Sequence, residues 1–251
     1  MVILLRSIAF NVLFYVNTLV YLIGGLPTFF MPCRAIIAVA KAWGRANLIL
    51  LRVVAGIDYE IRGREKLPKG PLIVASKHQS AWETFALLPL LENPVFILKH
   101  ELQWIPVFGW LTIKGRMVPV HRGLGAQALA DMVERARIEL ADNRQLIIFP
   151  EGTRRPAGAE PRYKVGVMHL YAAEGVPCVP IALNSGLFWP RRSLRRIPGT
   201  VIAEILDPIP PGMDKDAFFA RLQNDIETAT ARLIAEGRTK MRAGGVQSVA
   251  D

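Results

Sequence analysis

Residues 7–33 contain no charged side chain, and this run of 27 residues restricts how the chain can fold more than any other feature. A helix needs about 20 apolar residues to cross a bilayer. A secretory signal peptide fits poorly, because Arg6 is the only basic residue before the run, the apolar part is too long and no small-residue cleavage site follows. Three polar residues interrupt the run: Asn11, Asn17 and Thr18. We therefore expect an apolar N-terminal helix that associates with a membrane.

The stretch GGLP at residues 24–27 is expected to end that helix, and a second helical segment follows over residues 34–57. Its basic residues recur at offsets that place them within about 20° of one line on a helix: Arg34, Lys41, Arg45 and Arg52. Such a stripe on an apolar helix favours a membrane surface; the alternative is a solvated face on a helix packed against the domain. The first helix either crosses the bilayer or re-enters beside the second. If it crosses, the basic residues after it favour a cytoplasmic C-terminal domain.

The composition supports a folded chain that binds phosphate groups. Hydrophobic residues make up 51% of the 251 residues, and 31 lysines and arginines against 21 acidic residues give a net charge of +10. A basic surplus is typical of partners such as nucleic acid, anionic lipid or a phosphorylated substrate. The apolar N-terminus favours lipid over nucleic acid, so we expect membrane lipid as a partner and no nucleic acid. Cys33 and Cys178 have neither metal-ligand spacing nor the pattern of a disulfide framework.

Beyond residue 57, short apolar runs alternate with amphipathic segments. The runs predict strands at 72–76, 95–98, 117–120, 145–149, 178–183 and 201–205. Helices are predicted at 80–91, 126–141, 165–174 and 216–236. This alternation indicates an α/β domain in which helices cover a sheet. We assign residues 1–57 to membrane-associating helices, 58–237 to the α/β domain, and 238–251, which lack periodicity, to a flexible tail.

His78 and Glu83 lie five residues apart between two apolar runs. Metal binding is disfavoured, because a zinc helix carries two histidines four residues apart and no second histidine is near. With His78 at the end of a strand and Glu83 in the first helical turn, the carboxylate can fold back onto the imidazole. It would fix the tautomer, so that the other ring nitrogen can take a proton from a hydroxyl.

A simpler explanation of Glu83 competes with this one. Ser80 and Glu83 have the spacing of a capping box, with serine at the N-cap and glutamate three residues later. The two explanations predict different results for Glu83→Gln. Glutamine also completes a capping box, so the change would be nearly silent if capping were the only role.

The stretch LIIFPEGTRR, residues 146–155, forms a second polar group at the end of a predicted strand. It presents Glu151 and Arg154 on a glycine turn, and arginine offers forked donors suited to phosphate. Taken alone this is only suggestive, because an arginine loop is most often a solvated one.

Four stretches taken in order resemble a known family, the lysophosphatidic acid acyltransferases. KHQSAWE at 77–83 resembles the family motif of a histidine, four residues and an aspartate. LKHELQWIPVFGWLTIKGRMVPVHR at 98–122 resembles its second block, FPEGTR at 149–154 matches its third, and GVPCVPIAL at 175–183 resembles its fourth. The resemblance covers residues 60 to 210, roughly, and implies a mixed central sheet covered by helices.

The resemblance also implies an activity. His78 would be the general base that removes a proton from a glycerol hydroxyl of lysophosphatidate, and Glu83 would orient and stabilise it. The oxygen would attack the thioester of acyl-CoA or acyl carrier protein, giving phosphatidate without a covalent enzyme intermediate, a metal or another cofactor. The acceptor would be bound by residues of the second and third blocks: Lys99, Arg122, Glu151, Gly152, Thr153 and Arg154.

Two positions depart from the family pattern. Glu83 stands where aspartate is usual, and Lys77, expected on the surface side of the motif, stands where asparagine is common. Alternatives therefore stay open. The chain could acylate another lysolipid such as a lyso-aminolipid, hydrolyse thioesters by activating water on His78, or act as a scaffold with a decayed site. The loop FWPRRSLRR at 188–196 could contact lipid headgroups or be solvated.

Overall fold

A computed structural model describes residues 1–121 and 125–243. Eight α-helices lie in this part of the chain: α1 (Val2–Gly25), α2 (Cys33–Leu50), α3 (Trp82–Ala86), α4 (Phe108–Lys114), α5 (Gly125–Ala141), α6 (Gly166–Glu174), α7 (Ser185–Phe188) and α8 (Lys215–Ala243). Short 3₁₀ segments lie at Leu26–Phe30, Arg64–Lys66, Leu88–Leu90 and His100–Trp104, and a π-helical turn at Leu51–Ala55 extends α2.

A seven-stranded sheet forms the centre of the described chain. Its strands are β1 (Ile57–Arg62), β2 (Leu72–Ser76), β3 (Pro94–Lys99), β4 (Val118–Val120), β5 (Gln145–Ile148), β6 (Cys178–Leu183) and β7 (Gly199–Ile205). The order across the sheet is β1-β7-β6-β2-β5-β3-β4, and every neighbouring pair is parallel except β6 with β7. The expected mixed sheet covered by helices is confirmed.

Both faces of the sheet are covered, as alternation along β2 illustrates. Leu72 and Val74 point into one apolar cluster, shared with residues of α1, α2, α3 and α7. Ile73 and Ala75 point into the opposite cluster, formed with α5, α6 and α8. Successive side chains of a strand face opposite sides, so a strand buried on both faces appears in the sequence as an uninterrupted apolar run.

Helix α1 packs along its length against the domain with one face and exposes apolar side chains on the other. Phe10 is fully buried, with its ring edge-on to Trp189 at 5.4 Å. The polar residues that interrupt the uncharged run explain this attachment, because their side chains form hydrogen bonds with other parts of the chain. Asn11 Nδ2 donates to the Leu194 carbonyl (3.0 Å), Asn17 Nδ2 donates to Asn47 Oδ1 on α2 (3.1 Å), and Thr18 Oγ1 accepts from an α2 tryptophan.

The expected break after α1 is confirmed. Helix α1 ends at Gly25, the 3₁₀ turn Leu26–Phe30 carries the proline, and α2 starts at Cys33. Within the described residues, one helical stretch, Val2–Phe30, is long and apolar enough to cross a membrane, with a mean hydropathy of 1.7.

The basic stripe of α2 is partly engaged by the protein itself. Lys41 Nζ donates to the Leu91 carbonyl at 2.7 Å, and Arg52 pairs with Asp58 at 3.2 Å. An adjoining face of the helix is buried in the domain, where Gly44 allows close approach: a β-carbon there would lie 2.5 Å from the Phe85 carbonyl oxygen of α3. This packing favours the alternative of a helix docked on the domain.

Three features differ from the sequence-based prediction. Strand β1 was not predicted, since its exposed charged residues hide the pattern of an edge strand. The helix predicted at 80–91 is limited to α3 and a 3₁₀ turn that contains Pro89. The assignment of 238–251 to a flexible tail is wrong for its first part, because α8 continues to Ala243 and buries Met241 in the core; residues 244–251 lie outside the described residues.

Candidate active site

The candidate site lies where three adjacent parallel strands end. Val74 of β2 is in register with Ile147 of β5, which is in register with Phe96 of β3. His78 and Glu151 follow shortly after the ends of these two adjacent strands, so both lie at the same edge of the sheet. The carboxyl ends of parallel strands in an open sheet are the usual location of a ligand crevice.

His78 and Glu83 form a buried pair. His78 Nδ1 lies 2.9 Å from Glu83 Oε1, and their side chains are 11% and 0% exposed. The Phe149 ring stacks on the imidazole with centroids 4.0 Å apart and planes 15° apart. Nδ1–H therefore donates to the carboxylate, and Nε2 has no hydrogen-bond partner among the described residues. This is the arrangement of an oriented general base.

The Glu83 carboxylate accepts further hydrogen bonds. Oε1 accepts from the backbone N–H groups of Gln79 (2.6 Å) and Ser80 (2.7 Å). Oε2 accepts from the hydroxyls of Ser80 and Ser185, each at 2.9 Å. Burial acts to raise the pKa of this carboxyl, but the hydrogen bond and charge of His78 and the backbone donors outweigh it, and the pKa is lowered. Glu83 is thus held ionised beside the imidazole.

The two explanations of Glu83 prove compatible. The bond from Ser80 N–H to the carboxylate is the half of a capping box in which glutamate reaches back. The other half differs, since Ser80 Oγ accepts from Trp82 N–H at 3.0 Å instead of the N–H of Glu83. One carboxylate therefore starts the helix and orients His78 at once, because the glutamate side chain is long enough for both.

The FPEGTR turn lies directly against His78. Glu151 Oε2 accepts from the His78 N–H (3.3 Å), and Arg155 N–H donates to the His78 carbonyl (2.8 Å). Gly152 takes φ +64°, a conformation that side chains with a β-carbon rarely adopt. Thr153 and Arg154 are exposed on this turn. The turn thus brings the backbone of Arg154 beside the histidine.

Lys77 is buried, so its expected surface position is wrong. Its side chain is 2% exposed, and Nζ lies 2.9 Å from Glu151 Oε1 and 2.7 Å from Glu227 Oε1 on α8. The Glu151 side chain is 0% exposed and has both oxygens occupied within the protein. Its predicted contact with the acceptor is therefore not supported by the geometry, although it adjoins the site.

The remaining predicted binding residues lie at the ends of the outer strands or outside the described chain. Lys99 ends β3, is exposed, and pairs with Glu101 at 2.9 Å. Arg122 lies outside the described residues.

Beyond β3, a cavity of about 580 Å³ opens between β4, α4 and α5. The His100 and His121 rings line it, with their centroids 3.5 Å apart. Neither His78 nor Glu83 lines this cavity.

Several supporting residues were not identified from the sequence. Ser185 binds Glu83, and the Gly186 N–H donates to the Gln79 side chain at 2.9 Å, so α7 secures the helix start from 100 residues away. Glu227 and Tyr163 lie in no sequence motif that would mark them as part of the site. Phe149 could have been identified from the sequence, since it stands at the end of the strand that precedes the FPEGTR turn.

In the described part of the chain, no three histidine, cysteine, aspartate or glutamate side chains lie close enough to hold a metal ion.

Known proteins are similar to this chain. Residues 58–184 match a family described as Acyltransferase. The 1-acyl-sn-glycerol-3-phosphate acyltransferase of Pseudomonas aeruginosa is 36% identical over 201 residues, which cover 78% of this chain and 77% of that protein. The human 1-acyl-sn-glycerol-3-phosphate acyltransferase alpha is 29% identical over 77% of this chain and 71% of its own length.

A solved structure shares the fold. The crystal structure of the 1-acyl-sn-glycerophosphate (LPA) acyltransferase of Thermotoga maritima matches with a TM-score of 0.75 and 23% identity. The match covers 91% of this chain and 97% of that one.

Proposed function

Because this chain belongs to the 1-acyl-sn-glycerol-3-phosphate acyltransferase family, we propose that it transfers an acyl chain from a thioester donor to lysophosphatidate and forms phosphatidate. The observation that carries the proposal is the buried pair of His78 and Glu83 beyond the end of β2, which leaves Nε2 without a hydrogen-bond partner in the described part of the chain. The donor is acyl-CoA or acyl carrier protein.

The chemistry begins when His78 Nε2 takes the proton of the free glycerol hydroxyl. The oxygen forms a bond to the thioester carbonyl carbon, and the imidazolium is stabilised by the ionised Glu83 carboxylate 2.9 Å away. The tetrahedral intermediate then breaks its C–S bond, and the departing thiolate receives the proton from Nε2. Such proton transfer contributes about 10²–10⁴ to the rate.

We infer that Arg154 binds the phosphate of the acceptor, with Lys99 and Arg122 as further cations. The exposed side chain of Arg154 forms no hydrogen bond or ion pair with another described residue, and the next residue, Arg155, donates its backbone N–H to the His78 carbonyl. A phosphate held here would bring the glycerol hydroxyl toward Nε2. Arginine suits this role because its planar fork binds phosphate through two parallel hydrogen bonds.

The direct test is an acyl-transfer assay of the purified protein with lysophosphatidate and each donor in turn. Phosphatidate should form with at least one donor, and thiol release without acceptor should be slow. Rapid release in the absence of acceptor would support a hydrolase instead. Faster consumption of an uncharged or amino-containing lysolipid than of lysophosphatidate would support a different acceptor. Failure to transfer an acyl chain to any lysolipid, together with slow thiol release, would leave only a scaffold.

Arg154→Ala is expected to raise KM for lysophosphatidate by about 10- to 100-fold, the size of a lost hydrogen bond to a charged group. KM for a lysolipid acceptor without a free phosphate should change little. Arg221→Ala is the control, because it removes one positive charge from a partly exposed ion pair on α8. An equal rise in KM for both acceptors would contradict phosphate binding by Arg154.

We propose that α1 associates with a membrane by lying along its surface rather than by crossing it. Arg6 Nε donates to the Val54 carbonyl at 2.7 Å near one end of the helix, and Gly25 packs close to Leu111 near the other. Both ends are thus held by the domain, while the outer face exposes residues such as Val16 and Val20. The two free cysteines support a catalytic domain on the cytoplasmic face, because disulfides are rare in that compartment.

The double variant Val16→Glu, Val20→Glu should lower the partition coefficient onto anionic vesicles at least tenfold, roughly, because two carboxylates would enter the apolar layer. Flotation of vesicles with bound protein measures this. Ile138→Glu changes a side chain of similar exposure on α5, far from this face, and serves as control. Equal binding by the double variant and the control would contradict the assignment.

A further inference from the structure

A buried group of charges joins the backbone of His78 to the C-terminal helix. Lys77 Nζ lies between Glu151 Oε1 at 2.9 Å and Glu227 Oε1 at 2.7 Å. Tyr163 OH donates to the same Glu227 oxygen at 2.8 Å. The four residues come from the end of β2, the FPEGTR turn, the loop after it and α8, so the group connects segments up to 150 residues apart.

The charges in this group depend on each other. The Lys77 and Glu151 side chains are 2% and 0% exposed, whereas Glu227 is 23% exposed. A buried charge is costly unless it is paired, and removing one partner leaves the other unpaired. Burial raises the pKa of Glu151, and the charge of Lys77 opposes that rise. Lys77 therefore helps to keep Glu151 ionised, and Glu227 holds Lys77 in place.

Glu151 connects this group of charges to the backbone of His78. One of its oxygens is bound to Lys77, and the other accepts the His78 N–H at 3.3 Å. The backbone of His78 is thereby held on its N–H side by Glu151 and on its carbonyl side by Arg155 N–H at 2.8 Å. The imidazole direction follows from this backbone, since Nδ1 must meet Glu83 while the ring stacks on Phe149.

We propose that Lys77, Glu151 and Glu227 act together as positioning residues for His78, so that α8, which lies beyond the stretch matching the acyltransferase family, helps to set the reactivity of the base. The proposal rests on the proposed function in one respect: His78 is taken as the general base. In this proposal Glu151 holds the His78 backbone through a hydrogen bond and does not bind the acceptor. It also gives a role to Lys77, which replaces the asparagine common in the family.

Glu227→Gln tests the proposal with little change of shape. The amide can still accept from Lys77 and Tyr163, but the charge that holds Lys77 is lost. We expect kcat for acyl transfer to fall about 10- to 100-fold, the range for a displacement of a reacting group by up to about 1 Å. KM for lysophosphatidate and for the donor should change less than about twofold, because the three residues are not expected to touch either substrate.

Glu236→Gln is the matched control. Glu236 lies on the same helix, is 28% exposed and pairs with Arg62 at 2.8 Å, but it has no contact with the Lys77 group among the described residues. This substitution removes the same charge from a similar ion pair, so its kcat should equal that of the unmodified protein. A Glu227→Gln variant with the kcat of Glu236→Gln would overturn the proposal.

A double-mutant cycle with Lys77→Asn separates positioning from general stability. If Lys77 and Glu227 act through one chain of contacts, the double variant should lose far less activity than the product of the single losses. If the loss of activity in the double variant equals the product of the two single losses, the proposed coupling between Lys77 and Glu227 is overturned. Thermal melts of all variants identify any that have not folded, and Glu227→Gln retains the test if Lys77→Asn does not fold.

A measurement without turnover distinguishes failure of this proposal from failure of the proposed function. The proton on His78 Nδ1, bound to Glu83, should give a downfield resonance in a proton NMR spectrum, assigned by its absence in His78→Ala. Glu227→Gln should shift it and Glu236→Gln should not. An unshifted resonance overturns the positioning role whatever the activity, whereas absence of acyl transfer by the unmodified protein contradicts the proposed function alone.

Discussion

His78→Ala is expected to lower kcat for acyl transfer by about 10²- to 10⁴-fold, the contribution of a positioned general base. Without the imidazole, the glycerol hydroxyl keeps its proton and is a weak nucleophile toward the thioester. KM for lysophosphatidate should change little, because Arg154 on the FPEGTR turn and Lys99 at the end of β3 remain to bind its phosphate. Steady-state kinetics with saturating donor measure both quantities.

The control for this substitution is His169→Ala. His169 lies half-buried on α6, its side chain forms no hydrogen bond or ion pair with another described residue, and its replacement by alanine deletes the same number of atoms. It should leave kcat unchanged. Loss of the ring stacked on Phe149 could also loosen the site, so far-UV circular dichroism and a thermal melt must show that His78→Ala is folded. A folded His78→Ala protein that acylates at the normal rate would exclude His78 as the base.

Glu83→Gln is expected to lower kcat at least about 10²-fold while the protein stays folded. The amide oxygen can replace Oε1, which accepts from the His78 imidazole and two backbone N–H groups. The amide nitrogen would then face the hydroxyls of Ser80 and Ser185, which can turn to accept. Shape and capping survive, but the negative charge that stabilises the imidazolium is lost.

Glu83→Asp should retain part of the activity, with a loss of up to about 10²-fold. It keeps the charge but is shorter by one methylene, so it cannot reach all five donors in the present backbone arrangement. The order unmodified, aspartate, glutamine is thus expected for kcat. A glutamine variant as active as the unmodified protein would mean that Glu83 only caps α3, and the orienting role would have to be abandoned.

Much of the sheet could be predicted from the sequence because its inner strands are buried on both faces. Strands β2, β5 and β6 appear as uninterrupted apolar runs, and the amphipathic period of α5 and α8 is clear. Strand β1 carries exposed charges at the edge of the sheet, and its pairing with β7 depends on a partner about 140 residues away. Local patterns contain no information about such a partner.

The same distinction applies to the site. His78, Glu83 and the FPEGTR turn were found because each lies in a short ordered motif. The donors that hold Glu83 and the acid that holds Lys77 were missed, since Ser185 and Glu227 approach from helices more than 100 residues away. Lys77 itself was misplaced, because a lysine is expected at the surface unless a partner is known to be buried with it.

The attachment of α1 and α2 limits how this protein can be divided. Phe10, Leu48, Leu51 and Ala55 belong to the same apolar cluster as strand β2 and α3, the helix that carries Glu83. Cutting the chain after residue 57 would strip that cluster on one side and leave Trp189 and Phe85 facing water. We therefore expect a fragment that begins at residue 58 to lose its folded core and its activity, whether it arises by truncation or by proteolysis.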